Sequence, residues 1–153
     1  MTAKIIPPEF SRPLLVDRVP RKGSHEHIKA DEAECAKLAK RFAIPALHKL
    51  SARLLCSPWR GGGIKITGTV DAEFEQRSVI SLELFASNSQ FQLERFFLPS
   101  HKLDENVEDD ADPISNGVID LGEVVAETLG LELDPYPRKP GESFSGEPEE
   151  PKN

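Results

Sequence analysis

Residues 47–97 read LHKLSARLLCSPWRGGGIKITGTVDAEFEQRSVISLELFASNSQFQLERFF, and their patterning decides the fold class. Apolar and polar side chains alternate with a period of two, the pattern of strands that bury one face and wet the other. Four consecutive strands are expected. In residues 47–56, Leu50, Ala52, Leu54 and Cys56 share one face, with Lys49, Ser51, Arg53 and Leu55 on the other. Residues 64–74 set Ile64, Ile66, Gly68, Val70 and Ala72 against Lys65, Thr67, Thr69, Asp71 and Glu73. Residues 77–85 make a third strand, and residues 90–98 a fourth, with Phe91, Leu93, Arg95 and Phe97 opposite Gln92, Glu94 and Phe96. Turns are expected at Pro58–Gly63, whose three glycines permit positive φ, and at Ala86–Ser89. Together these predict an antiparallel β-meander over roughly residues 47–98.

The flanks supply what covers such a sheet. Asp31 followed by Glu34 is a capping-box pair, and Cys35, Leu38, Ala39 and Phe42 then fall at helical spacing, predicting a helix over about 31–43 that ends before Pro45. A second pair, Asp120 and Glu123, opens a helix over about 120–130, with Leu121, Val124, Val125 and Leu129 on its apolar face and Gly130 as its stop. Leu131 and Leu133 are expected to pack beyond it. Short strands are expected within Phe10–Val19, at His25–Ala30 and at Gly117–Ile119. The expected architecture is α+β, with one domain over residues 10–141. Residues 1–9 are expected to be flexible, the acidic stretch 104–113 a mobile loop, and residues 142–153 a disordered acidic tail.

Composition limits the function classes. The chain has 153 residues, 38% hydrophobic and 29% charged, the balance of a soluble domain with a modest core. No apolar run approaches a membrane span and the N-terminus lacks an apolar signal region, so the expectation is a cytoplasmic protein. Cys35 and Cys56 form no CxxC pair, which fits a reduced compartment and neither a zinc ribbon nor a disulfide framework. Net charge is −7, unevenly spread: residues 1–60 hold 12 Lys/Arg against 6 Asp/Glu, and residues 61–153 hold 7 against 20. The asymmetry reads either as a basic contact surface beside an acidic tail or as two differently charged solvated faces.

Candidate chemistry is sparse. His25 and His27 share a strand face, but two ligands without a third and fourth do not make a metal site. Arg60-Gly61-Gly62-Gly63 lacks the helix and the Lys-Ser/Thr of a phosphate-binding loop. No nucleophile–base order appears, so the expectation is a protein without enzymatic activity, cofactor, metal or small-molecule substrate. Nucleic-acid contact is the remaining class. Arg18, Arg21, Lys22, Lys49, Arg53 and Arg60 could line a basic face, with Trp59 to stack on a base. Against it stands a pI of about 5.1, for which solvated lysines around a packed indole is the simpler reading.

The order of DEAECAKLAKRF, GTVDA, SLEL, FFLP, an acidic loop, and GVIDLGEVVAETLGLELDPYPRKPG resembles the YceD family of large ribosomal RNA subunit accumulation proteins, in its α-proteobacterial branch. The likeness is most specific at Ile119–Glu123 and Asp134–Arg138. It implies a non-enzymatic factor in synthesis, processing or stability of large-subunit ribosomal RNA, whose partner is that RNA or a basic ribosomal or assembly protein. The alternative is a generic interaction module that binds a basic partner through the acidic loop and tail. Many members of that family carry a CxRC-like pair where this chain has Ser78-Val79-Ile80-Ser81, in the expected third strand. Serine hydroxyls are poor zinc ligands, so a metal role carried by that pair is not expected here.

Overall fold

The computed structural model describes residues 9–103 and 111–142. The expected flexible N-terminus up to residue 8, the acidic loop at 104–110 and the tail from 143 lie outside the described residues. The elements are β1 (Pro13–Leu15), β2 (Ser24–Lys29), α1 (Glu32–Phe42), β3 (Ala46–Trp59), β4 (Gly63–Arg77), β5 (Leu84–Pro99), α2 (Ser100–Leu103), β6 (Asp112–Ile114), β7 (Val118–Asp120) and α3 (Leu121–Glu132). The fold is α+β. A five-stranded sheet runs β2-β3-β4-β5-β6, antiparallel except for the parallel β5–β6 pair, and β1 pairs with β7 in a separate two-stranded ribbon.

The meander has three long strands, not four. Residues 78–83, expected inside a third strand, form the β4–β5 turn, and residues 86–89, expected as a turn, lie within β5. The reason is a side chain competing with the ladder. Ser78 Oγ accepts from the amides of Ile80 (3.0 Å) and Ser81 (3.3 Å), and Leu82 N–H returns to the Ser78 carbonyl at 3.0 Å. Local bonds of this kind turn a chain that strand patterning alone would extend. Conversely, Ser87, Asn88 and Ser89 are held extended because each faces a β4 residue in an unbroken register, Phe74, Glu73 and Ala72 in turn. Pairing overrides the turn preference of those side chains.

The predicted face assignments hold for the long strands. Leu50, Leu54, Cys56, Ile64, Ile66 and Val70 are at most 2% exposed and join one core cluster with Leu38 of α1 and Val125 and Leu129 of α3. Fully burying an aliphatic side chain of this size stabilises by roughly 1.5–3 kcal/mol, so this face holds the sheet against the helices. Asp31 and Glu34 close a complete capping box on α1. At α3, Asp120 accepts from the amides of Gly122 (3.0 Å) and Glu123 (3.4 Å). Its expected reciprocal bond is replaced, because the Glu123 carboxylate takes a two-point contact from Arg41 at 2.8 and 2.9 Å and so ties α3 to α1. Arg12 and Glu34 make a similar two-point pair at 2.7 and 2.8 Å.

Gly130 does not end α3. It lies inside the helix where a Cβ would meet the Phe42 ring at 3.0 Å, so its role is close approach to α1. Leu131, expected to pack, is 86% exposed, whereas Leu133 packs against the core. Gly122 is likewise a packing glycine: a Cβ there would fall 2.3 Å from the Phe10 carbonyl oxygen.

Candidate functional site

The two faces of the sheet differ in what covers them. The register places His25, Leu55 and Thr67 in one row of the face turned away from the helices, and His27, Arg53, Thr69 and Gln92 in the next. Ser57, Lys65 and Phe96 form the row nearest the β3–β4 turn. Trp59 pairs with Gly63. Its indole meets Phe96 across β4, ring centroids 4.7 Å apart at 43°. The Arg60 guanidinium lies 4.7 Å from the Trp59 ring and the Lys65 ammonium 5.7 Å from the Phe96 ring. Both aromatic rings are half-buried, and Arg60 is exposed. Two rings flanked by two cations on the sheet face turned away from α1 and α3 offer stacking and phosphate attraction together.

Local backbone explains why this end is open. Gly61 and Gly62 sit at φ 68° and 79°, in the left-handed region that costs other residues about 1–2 kcal/mol. The turn between β3 and β4 is thereby kept tight.

The structure groups some predicted residues and separates others. Arg53 lies exposed in the middle of the open face, and Trp59 and Arg60 at its end. Arg21 and Lys22 are exposed in the turn just before Gly23, whose position touches Leu55 and Ser57 of the same face, so they rim this end. Lys49 is at the opposite end of β3, facing Glu73 at 3.8 Å, and does not join the cluster. Arg18 is exposed in the 3₁₀ turn after β1, away from the paired strands of the sheet. Phe96 and Lys65 are functional candidates that residue-type scanning missed. The period-two alternation had placed both on the polar faces, but nothing local shows that strands β3 and β5 bring Trp59 and Phe96 together across β4.

Other groups are accounted for structurally. Cys35 and Cys56 are buried free thiols, and burial raises both, Cys56 to about 12, which keeps them unreactive. Among the described residues no group of three or more His, Cys, Asp or Glu side chains could hold a metal ion, and no helix is long and apolar enough to cross a membrane.

The family model for the large ribosomal RNA subunit accumulation protein YceD matches residues 66–153, more than half of the chain. The chain belongs to the YceD family. No curated protein and no solved structure matches it. The YceD match takes in most of β4, all of β5, α3 and the C-terminal segment, and it includes Phe96. Trp59, Arg60, Lys65 and the rim residues Arg21 and Lys22 precede it. Within the matched region, Ser78 is fully buried and its hydroxyl donates to the Glu142 carboxylate at 2.5 Å. The Ser81 hydroxyl helps Ser78 hold the pKa of that carboxyl down, and the Val79 amide donates to the Pro137 carbonyl at 2.8 Å. In this YceD-family chain the serine pair therefore fastens the C-terminal segment across the β4–β5 turn by hydrogen bonds.

Proposed function

We propose that this chain promotes accumulation of large-subunit ribosomal RNA by binding rather than by catalysis, and that single-stranded RNA lies along the open sheet face. The coarse role follows from the YceD family. The RNA assignment rests on one observation: Trp59 and Phe96, in tilted contact at 4.7 Å, have Arg60 and Lys65 over their rings on the sheet face turned away from the core under α1 and α3. Unpaired bases stack on such aromatic side chains while flanking cations take the phosphates. Arg53, Arg21 and Lys22 extend the cationic track beyond the rings.

An acidic protein can bind RNA when its cations are gathered locally, because at physiological salt the field of distant carboxylates is screened beyond about 8 Å. The test measures the affinity of the full chain for large-subunit ribosomal RNA fragments across a salt series. Three to five phosphate contacts predict a log–log slope of roughly −2 to −3.5, at about −0.7 per contact for single strands. A slope near zero, or no binding at low salt, removes the RNA reading and leaves contact with a basic ribosomal or assembly protein. Deleting the gene and measuring the ratio of large- to small-subunit RNA tests the coarser role, which an unchanged ratio would sink.

A further inference from the structure

The long strand β5 has one side in use and one side open. Toward β4 it pairs from Leu84 to Phe97 without a break, while its other side meets β6 only at Phe97–Pro99. From Leu84 to Phe96 that outer edge has no strand partner among the described residues. Natural sheets protect such edges with charges, proline, bulges or short length. The opposite edge follows this rule: β2 has six residues, SHEHIK, four of them histidine or charged. The β5 edge does not. Residues 84–93, LFASNSQFQL, contain no charge, no proline and no glycine, and Leu84 is 45% exposed.

We infer that the β5 edge pairs with the β5 edge of a second copy of this chain, antiparallel about a two-fold axis near Ser89. An axis through a residue sets each side chain opposite one from the same sheet face, as a continuous sheet requires. Asn88 then faces Gln90, Ala86 faces Gln92, Ser87 faces Phe91 and Phe85 faces Leu93. No like charges meet. A basic peptide is the poorer occupant, because ten consecutive edge residues offer it no carboxylate. The pairing joins the two open faces into one surface with a Trp59–Phe96 end at each extreme. If the RNA reading holds, the dimer is a two-site platform.

Each copy carries −7, so the dimer tightens as salt screens the repulsion, the reverse of RNA binding, and the two ideas fail separately. Sedimentation equilibrium of the full chain up to about 200 µM, at roughly 50 and 500 mM salt, measures it. The expected result is a concentration-dependent dimer, stronger at high salt, weakened at least ~10-fold by Asn88→Lys with Gln90→Lys, which sets like charges directly opposite each other. Unchanged thermal melting of the diluted variant separates lost pairing from lost folding. A monomer under all conditions overturns the inference, as does a dimer indifferent to the two lysines. A monomer whose β5 amides gain exchange protection only with an added ribosomal protein also overturns it, and assigns the edge to that protein's strand.

Discussion

At the β3–β4 end of the sheet, a glycine turn sits beside two half-buried aromatic rings and two cations. At the β4–β5 end, about 45 Å away for a strand of this length, a serine turn is strapped under the C-terminal segment. Both ends reverse the same strand, β4, and both use residues suited to turns. They differ in where the polar groups point. At the glycine end the Arg60 guanidinium lies over the Trp59 ring and the Lys65 ammonium near the Phe96 ring, so cations and rings share one patch of surface. At the serine end the hydroxyl of Ser78 is spent on the amides of Ile80 and Ser81 and on Glu142, while Gln76 reaches the Asp134 carbonyl at 3.2 Å and Lys139 the Glu83 carboxylate at 3.1 Å. The comparison teaches that one strand can present a contact surface at one end and a structural fastening at the other.

Breaking the first end should cost affinity and little stability. Trp59→Ala removes a stacking surface worth about 1–3 kcal/mol per base, so RNA binding should weaken about 5- to 150-fold, while the melting temperature falls only modestly. Fluorescence anisotropy with a labelled single-stranded fragment reads the first, and thermal melting the second. Equal loss of both would make Trp59 a packing residue and erase the contrast.

Breaking the second end should do the reverse. Ser78→Ala removes a fully buried hydroxyl that accepts from the Ile80 and Ser81 amides and donates to Glu142, and should destabilise by about 1–3 kcal/mol in denaturant unfolding, with RNA affinity unchanged. Acid should loosen the same end. The Ser78 and then the Ser81 hydroxyl hold the Glu142 carboxyl below its ordinary 4.5. A depressed carboxyl stabilises above the unfolded pKa, and that contribution disappears as pH falls through the folded value. Amide-exchange protection at Ile80 and Ser81, relative to the intrinsic rate at each pH, should therefore fall below about pH 4.5, and Glu142→Gln should flatten that response.

The smallest expected effect sharpens the strain of the serine turn. Leu82 adopts φ 64° with its side chain 65% exposed, a conformation that Asn tolerates better than Leu. Leu82→Asn should be neutral or stabilising by up to about 1 kcal/mol in the same unfolding assay, and a clear destabilisation would show that Leu82 packs in solution.

Much of the fold was legible locally. The faces of residues 47–56, 64–74 and 90–98 and the cap of α1 are written in single residues and their spacing, because a strand buries every second side chain and a helix end needs an acceptor for its first amides. The third strand was misread because SVISLELF alternates like a strand, while a hydroxyl at Ser78 decides otherwise. Gly130 was misread as a stop because its true reason, the Phe42 ring, comes from 88 residues earlier in the chain. The candidate site was half legible. Trp59 and Arg60 stood out as types, and Arg53 as a cation on the polar face. Lys49 was grouped with them only because sequence distance hides that it lies at the far end of β3.

By itself the sequence determined an α+β chain with an antiparallel sheet, two capped helices and the YceD family. These depend on periodicity, on capping chemistry and on residues that travel together. Only the tertiary structure decided that Trp59 meets Phe96, that Ser78 turns the chain and holds Glu142, and that β5 has a bare uncharged edge. Each of these is a relation between residues far apart in sequence, set by strand register, and register is fixed by burial of the whole face rather than by any short stretch.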